Sequence, residues 1–344
     1  MNSMTMELAQ AREASAKIWV PILAKYREPL LSRSIFELAV TMGAFLGFWA
    51  LAWLSLSLSP LLAMAIAILN GVWLVRVFLI QHDCGHQSLF SNRHVNDWVG
   101  RISGVLTLTP YDVWRRTHSI HHAHAGNLDR RGIGDVKTLT VEEYQNRSWF
   151  GRLVYRMYRH PIVMFGLGPA YIFLVDYRLP LGLMTAGWRY WISSMGTNLM
   201  LVALLVGLYL LGGWQVIAFI YLPTVISAAT LGVWLFFVQH QFEDTYWDHE
   251  PKWQMHDAAL LGSSHYKLPQ PLRWLTANIG IHHVHHLYSR IPFYRLSEIL
   301  RDYPALAEAQ VLTIRESLKC ASLHLWDEKA KRLVTFREAK LATA

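Results

Sequence analysis

The sequence predicts an all-α integral membrane protein with about four transmembrane helices in two hairpins, interfacial helices, and a cytosolic helical cap that carries clustered histidines. The first observation behind this prediction is composition, because 53% of the 344 residues are hydrophobic and 16% are charged. A soluble domain carries about 25% charged residues. The second observation is that the apolar residues form long runs between polar blocks, and the third is that most histidines lie in those blocks.

Four apolar runs are long enough to cross a bilayer, which requires about 20 residues in a helix. The runs cover residues 35–54, 61–79, 193–211 and 216–238. Pro223 predicts a kink in the last run. Arg76 lies near the end of the second run, where its long side chain can reach the membrane interface. The first two runs and the last two runs each predict a helical hairpin.

Two further apolar segments are predicted to lie at the interface. Residues 98–110 are too few to span a bilayer, and residues 161–175 contain Gly166, Gly168 and Pro169. If neither segment crosses the membrane, the two hairpins return every polar block to the same side. All the histidine clusters then share one face of the membrane.

The positive residues predict which side of the membrane that face occupies. Neither hairpin loop contains Lys or Arg, whereas the polar blocks contain many. The positive-inside rule therefore places the histidine clusters and both termini on the cytoplasmic side of a multi-pass protein. We expect a cytosolic N-terminal segment over residues 1–34, a membrane domain over 35–300 and a cytosolic helical tail over 301–344. An apolar helical stripe is predicted in the tail at Ile314, Leu318, Ala321 and Leu325.

Histidines recur at helical spacing in three clusters. In the segment 282–286, positions i, i+3 and i+4 are histidines and share one helix face, while His283 points about 100° away from its neighbour. The segment 118–122 repeats this pattern, an i, i+4 pair precedes it, and another histidine ends the fourth apolar run. The nine candidate metal ligands are His82, His86, His118, His121, His122, His240, His282, His285 and His286.

Eight or nine imidazoles are too many for a single zinc ion, which takes about four ligands, and they suit two metals with open positions. Imidazole binds Zn, Cu, Fe and Ni, so the clusters do not by themselves name the metal. The sequence contains neither Glu-x-x-His, typical of soluble di-iron bundles, nor His-Glu-x-x-His, typical of zinc proteases. Nearby carboxylates could orient the imidazoles, or could be solvated loop charges. They are Asp83, Asp112, Asp129, Asp135, Glu243 and Asp244.

The histidine spacing resembles the three histidine boxes of the integral-membrane fatty acid desaturase family. The boxes are His82-x-x-x-His86, His118-x-x-His121-His122 and His282-x-x-His285-His286, and the resemblance covers about residues 35–300. His-Asp-Cys-Gly-His followed by a late His-His-Val-His-His is similar to the acyl-lipid branch, the delta-12 or omega-6 type. The resemblance implies a fatty acid desaturase, an oxidoreductase with two non-haem Fe ions. It would use O2 and two electrons to place a double bond in a lipid-linked fatty acyl chain.

The resemblance assigns the two irons to the eight box histidines and to His240, with no catalytic residue beyond these ligands. Asn278 is a candidate for holding a metal-bound water. His124 and His283 fall outside the minimal pattern, and we expect them beside the ligands or exposed. The remaining histidines are expected to be surface or structural residues: His94, His160, His249, His256, His265 and His324.

The predicted partners are the membrane, a fatty acyl lipid and an acidic electron carrier, either a ferredoxin or a cytochrome b5-like protein. The arginines expected to attract this carrier, or alternatively phospholipid headgroups, are Arg115, Arg116, Arg130, Arg131, Arg147 and Arg152. The net charge of +8 suits a membrane surface, and no nucleic-acid partner is expected. A lipid hydroxylase or ketolase with the same boxes remains an alternative. A haem-binding membrane protein or metal transporter is a more distant one, because its histidines would lie inside the spans.

Overall fold

Helices dominate the computed structural model, which describes residues 16–341. The helices of its first half are α1 (Trp19–Leu23), α2 (Leu31–Ser55), α3 (Pro60–Gly85), α4 (Arg93–Leu106), α5 (Tyr111–His124), α6 (Val141–Gln145), α7 (Trp149–Tyr158) and α8 (Gly168–Leu174). The later helices are α9 (Trp188–Val216), α10 (Leu222–His240), α11 (Met255–Leu261), α12 (Gln270–Leu275), α13 (His282–Leu287), α14 (Leu296–Asp302), α15 (Pro304–Ala307), α16 (Ile314–Cys320) and α17 (Phe336–Leu341).

Three helices of the described chain are long and apolar enough to cross a membrane: Leu31–Ser55, Pro60–Gly85 and Trp188–His240. The third contains both α9 and α10 and is interrupted at Gly213, whose φ of 67° and ψ of −170° are not helical. Glycine adopts this backbone readily because it has no Cβ. The four predicted apolar runs thus lie in these helices, which confirms an α-helical membrane protein. The number of membrane crossings stays a prediction.

The chain reverses direction within Trp188–His240. At its start, Arg189 forms an ion pair with Asp112 on α5, and at its end the imidazole of His240 lies beside that of His121, also on α5. The interruption at Gly213 lies between them. Both ends of the segment are therefore close to the histidine clusters, as the predicted hairpin requires.

Helix α3 packs against both α2 and α10 and carries the centre of the apolar core. Its first turn is capped by the Ser59 hydroxyl, which accepts a hydrogen bond from the Leu62 amide. Gly71 allows close approach to α10, because a Cβ there would lie 2.0 Å from the hydroxyl oxygen of Ser227. The close packing of α3 fixes the position of the first histidine pair at its end.

The prediction that Arg76 reaches the membrane interface is wrong. Its side chain is completely buried, and its guanidinium forms an ion pair with Glu37 on α2. It also donates a hydrogen bond of 3.0 Å to the Thr41 hydroxyl and lies over the Trp274 ring. A counter-charge and hydrogen bonds compensate for the loss of hydration, so the charge does not need to reach water.

The two predicted interfacial segments are short helical elements, and neither is long enough to span a membrane. Helix α4 exposes Trp98 and Ile102 on one face and buries Asn96 and Ser103 on the other. The second segment is a π-helical turn, Val163–Leu167, followed directly by α8. A further π-helical turn, Ile217–Tyr221, lies just before Pro223. The kink expected at Pro223 stays a prediction.

Two small sheets attach the tail to the rest of the protein. Their strands are β1 (Leu139–Thr140), β2 (His265–Lys267), β3 (Val311–Thr313), β4 (Leu325–Asp327) and β5 (Arg332–Val334). Strand β4 pairs in parallel with β1 and antiparallel with β5, and β2 pairs in parallel with β3. The tail therefore packs on the cap that bears the third histidine cluster.

The predicted apolar stripe in the tail is wrong. Helix α16 ends at Cys320, and Leu325 belongs to strand β4. Ile314 and Leu318 are exposed, whereas Ser317 and Cys320 are the buried residues of this helix. The apolar periodicity arose by chance across a helix, a turn and a strand.

Candidate metal centre

The nine predicted histidines converge where four helices end. Helix α3 carries His82 in its last turn and is followed directly by His86 as its C-cap, and α10 ends at His240. Helix α5 presents its histidines at i, i+3 and i+4, and α13 presents the third box with the same spacing. Helix ends that meet at one place bring residues more than 200 positions apart into contact, as the predicted topology required.

The histidines form two groups, each able to hold one metal ion. The first group contains His82, His86, His118, His122 and His285, and the second contains His121, His240, His282 and His286. Within each group, one nitrogen of every imidazole lies within 4.8 Å of the others. Each group draws on several helices, so the centre forms only when the cap and the helical bundle are assembled.

Two imidazoles of the second group direct lone pairs at each other. His121 donates from Nδ1 to the Asp135 carboxylate at 2.5 Å, and His240 donates from Nδ1 to the carbonyl of Gly262 at 3.3 Å. A neutral imidazole has a single N–H, so both Nε2 atoms are left as acceptors, 3.1 Å apart. Two facing lone pairs repel, and a metal ion between them removes the repulsion. In the first group, His86 Nε2 is buried and has no hydrogen-bond partner among the described residues.

The nitrogen spacing suits a shared metal. Nε2 of His282 lies 3.0 Å from that of His240 and 3.1 Å from that of His286. In the first group, Nε2 of His122 lies 3.1 Å from those of His118 and His285. Two nitrogens that bind one ion at about 2.1 Å, with an angle of about 90° between them, are about 3.0 Å apart. The donor sets of both groups therefore fit a metal that imidazole binds.

Burial favours the neutral form of these imidazoles. It holds the pKa of His118, His122 and His285 well below the ordinary value, and the neighbouring imidazoles lower the pKa further. The pKa values of His282 and His286 are lowered for the same two reasons. A neutral imidazole has a free lone pair, which is the state that a metal requires.

Two of the six predicted carboxylates contact the histidines. Asp135 accepts from His121, as described above, and Asp83 lies 3.4 Å from His82 Nδ1 while it also accepts from the Phe293 amide. Gly134 positions Asp135: its φ is +77°, and an added Cβ would lie 3.1 Å from the Cβ of His121. The loop therefore places one carboxylate oxygen where it fixes the tautomer of its histidine.

Of the other four predicted carboxylates, three pair with arginines or histidines outside the centre, and the fourth is exposed. Asp112 pairs with Arg101 and Arg189, and Asp129 pairs with His249. Glu243 pairs with Arg332, and Asp244 is exposed. These four residues do not orient the clustered imidazoles.

Asn278 does not have a free amide for a metal-bound water. Its Nδ2 donates to the Phe293 carbonyl at 3.1 Å, and its Oδ1 accepts from Ser297 at 2.9 Å. His283 is fully buried and donates to the Leu306 carbonyl, and His124 donates to the Ile120 carbonyl. The buried His265 forms a hydrogen bond with the Ala307 carbonyl, the kind of contact that a structural histidine makes. The other histidines outside the two groups are exposed or half-buried: His94, His160, His249, His256 and His324.

An apolar cavity of about 570 Å³ reaches the histidines from one side. His82, His118 and His282 line its inner end, and Trp114 forms part of the wall, stacked on the His118 ring with centroids 4.6 Å apart. The cavity follows α10 from Gln239 to Val225, a distance of about 21 Å along a helix. Sequence reasoning placed the site beside apolar spans but could not identify which side chains leave this space open.

Comparison with known proteins agrees with this geometry. The sequence model of the family described as "Fatty acid desaturase" matches residues 59–317. A "Fatty acid desaturase" of Bacillus subtilis (strain 168) is 42% identical over 318 residues, covering 92% of this chain and 90% of that protein.

More distant relatives carry more specific names. The "sn-1 acyl-lipid omega-3 desaturase (ferredoxin)" of Synechocystis sp. (strain ATCC 27184 / PCC 6803 / Kazusa) is 27% identical and covers 78% of this chain and 74% of its own length. The "sn-1 oleoyl-lipid 12-desaturase" of Anabaena variabilis is 27% identical, with 73% of this chain and 70% of its own length covered. With its histidines in two metal-sized groups beside an apolar cavity, this chain belongs to the fatty acid desaturase family.

Proposed function

We propose that the nine histidines hold two non-haem iron ions, five imidazoles on one and four on the other. This centre would use O2 to place a double bond in an acyl chain that is linked to a membrane lipid. The observation that carries the proposal is that both histidine groups meet the inner end of one long apolar cavity. Metal-binding side chains and an apolar substrate site thus share one space.

The chemistry of the substrate favours iron over a metal without redox activity. A methylene in the middle of an acyl chain has no acidic proton and no leaving group, so an acid, a base or a nucleophile cannot remove its hydrogens. When bound, a pair of irons supplies the oxidising power from O2 that this step needs. The protein residues contribute the remaining functions: they hold the acyl chain, exclude water and orient the imidazoles.

The overall reaction balances with two external electrons. Two C–H bonds of neighbouring methylenes break and one additional C–C bond forms, so that two hydrogens with two electrons leave the acyl chain. One O2 takes up these two electrons, two electrons from a carrier and four protons in all, two of them from the acyl chain. The products are two water molecules and a double bond, and every turnover consumes two carrier electrons.

A lipid-linked substrate is supported by the position of the cavity. Its outer end lies between the loop at Ile133 and the segment at Leu179 and Leu181, and all three side chains are exposed. An apolar opening admits an acyl chain, while the attached headgroup stays outside. Relatives named as acyl-lipid desaturases support the same substrate class.

We propose that the histidine centre faces the cytoplasm, because the arginine-rich polar blocks adjoin it and the hairpin loops contain no Lys or Arg. An acidic ferredoxin is the carrier that we favour over a cytochrome b5-like protein, since the names of relatives specify ferredoxin. The division into residues 1–34, 35–300 and 301–344 remains part of this proposal.

The test is to express the protein in a host that lacks polyunsaturated lipids and to analyse the acyl chains of each lipid class. We expect a new double bond in chains esterified to membrane lipids, and no new product with the matched variant His285→Ala. Products that are only hydroxylated or oxidised to ketones would identify the alternative member of the superfamily instead. A haem absorption band or zinc in the purified protein would contradict the iron proposal.

A further inference from the structure

The histidine centre has a second opening, whose chemistry is opposite to that of the apolar cavity. A surface pocket of about 390 Å³ is lined by His86, His118 and His122 of the first group. We call it the cationic pocket, because its rim carries four arginines: Arg115, Arg116, Arg189 and Arg290. The first histidine group is thus reached from outside without passing through the apolar cavity.

The ion pairs around the cationic pocket leave it strongly positive. Asp97 pairs with Arg93 and Arg115, and Asp112 pairs with Arg101 and Arg189. Two carboxylates therefore serve four arginines. Because each pair of guanidiniums shares a single carboxylate, a positive charge remains at both places.

Arg116 and Arg290 add two more charges, and neither has a hydrogen-bond or ion-pair partner among residues 16–341. Both side chains are exposed. Of the other predicted arginines, Arg130 pairs with Glu250 and Arg131 pairs with Glu143, whereas Arg147 does not line this pocket. Two unpaired positive charges therefore lie at the entrance to the first histidine group.

Trp114 separates the cationic pocket from the apolar cavity, and it lines both. On the cavity side, the opening is formed by apolar side chains such as Leu179 and Leu181. An acyl lipid already has an entrance suited to its chain. The cationic pocket instead exposes three imidazoles of the first group, His86, His118 and His122, to a polar partner at the surface.

We propose that the cationic pocket is the docking surface of a small acidic one-electron carrier protein, with Arg116 and Arg290 as its main contacts. This inference rests on the proposed function, which requires two external electrons for every turnover. The carrier docks twice in each turnover, is oxidised by one electron each time and leaves, so a weak electrostatic contact suits it better than a large apolar interface. The partner face would carry Asp and Glu side chains around its redox group.

The experiment compares two electron sources for the purified full-length protein. In the first, turnover is driven by reduced plant-type [2Fe–2S] ferredoxin, at a series of ferredoxin concentrations. In the second, the protein is reduced with dithionite, freed of excess reductant and mixed with O2, and the double bonds formed per chain are counted. The variants are Arg116→Glu and Arg290→Glu, and the matched control is Arg315→Glu, an exposed arginine on α16.

We expect both pocket variants to lower kcat/KM for ferredoxin by about tenfold or more, because charge reversal slows electrostatically steered association. Their yield with dithionite and their iron content should equal those of the wild type. The wild-type rate with ferredoxin should fall as salt is added, and the variant rates should depend less on salt. The control variant should behave as the wild type in every assay.

Two outcomes would overturn the docking inference. Variants with wild-type kcat/KM for ferredoxin would show that the carrier docks elsewhere. An equal loss with ferredoxin and with dithionite would mean that the pocket holds a lipid headgroup of the substrate. Failure of the proposed function is distinguishable from both, because the wild-type protein itself would then form no double bond with either electron source.

Discussion

Substituting Asp135 by Asn isolates the contribution of one carboxylate to the metal centre. The Asp135 carboxylate lies 2.5 Å from Nδ1 of His121, is one-fifth exposed, and touches no other clustered imidazole in the described residues. It fixes the tautomer that points the Nε2 lone pair of His121 toward the second group. The side-chain amide of the substituted residue can turn its NH2 group toward Nδ1 of His121, and an NH2 group does not accept a hydrogen bond. The tautomer of His121 is then no longer fixed.

The expected loss from Asp135→Asn follows from that role. Removing a hydrogen-bond partner of a metal-binding histidine costs about 10- to 100-fold in metal affinity or activity. This corresponds to about 1.4–2.7 kcal/mol. Four imidazoles form the second group and the substitution acts on one of them, so binding of the ion should be weakened rather than lost.

The assay is iron retention against increasing chelator concentration, followed by desaturation activity of the same samples. We expect the chelator concentration that removes half of the bound iron to be about 10- to 100-fold lower for Asp135→Asn than for the wild type. Asp129→Asn is the matched control, because its carboxylate binds His249, outside both groups. Unchanged iron retention and activity in Asp135→Asn would refute the tautomer argument.

Three further predictions concern other parts of the structure. His285→Ala should abolish product without preventing membrane insertion, because it removes a ligand; product formation by this variant would exclude His285 from the centre. Gly232→Leu should shorten the acyl chains that are accepted, since Gly232 lines the cavity and an added Cβ meets no atom within 4 Å. Gly207→Leu, equally unobstructed but away from the cavity lining, should leave the product profile unchanged. Glu37→Ala should destabilise the detergent-solubilised protein by about 3–5 kcal/mol, because Arg76 then stays buried without a counter-charge; an unchanged melting temperature would contradict this.

The histidines could be identified from sequence because their helical spacing is a local property. Positions i, i+3 and i+4 share a helix face whatever the tertiary structure. Two hairpins return the chain to the side from which it entered the membrane, so the sequence also predicted that the clusters lie on the same side. The division into two groups could not be predicted in this way. His121 and His122 are neighbours in sequence but belong to different groups, since helical geometry turns them about 100° apart and different helices face them.

The misjudged residues depend on partners that are distant in sequence. Arg76 is buried because its counter-charge Glu37 lies on the adjacent helix. Asp112 does not reach the histidines because it pairs with Arg189, in the first turn of α9. The stripe through Ile314 and Leu318 had helical periodicity, but the strand pairing of Leu325 with Leu139 ends the helix earlier. Composition and spacing contain no information about these contacts.

The most direct test of the central claim is the iron content of the purified protein from iron-replete cells. The structure provides two complete histidine groups, and we therefore expect about two irons per chain and no haem absorption band. One iron or less per chain in fully active protein, or zinc in place of iron, would contradict a di-iron centre.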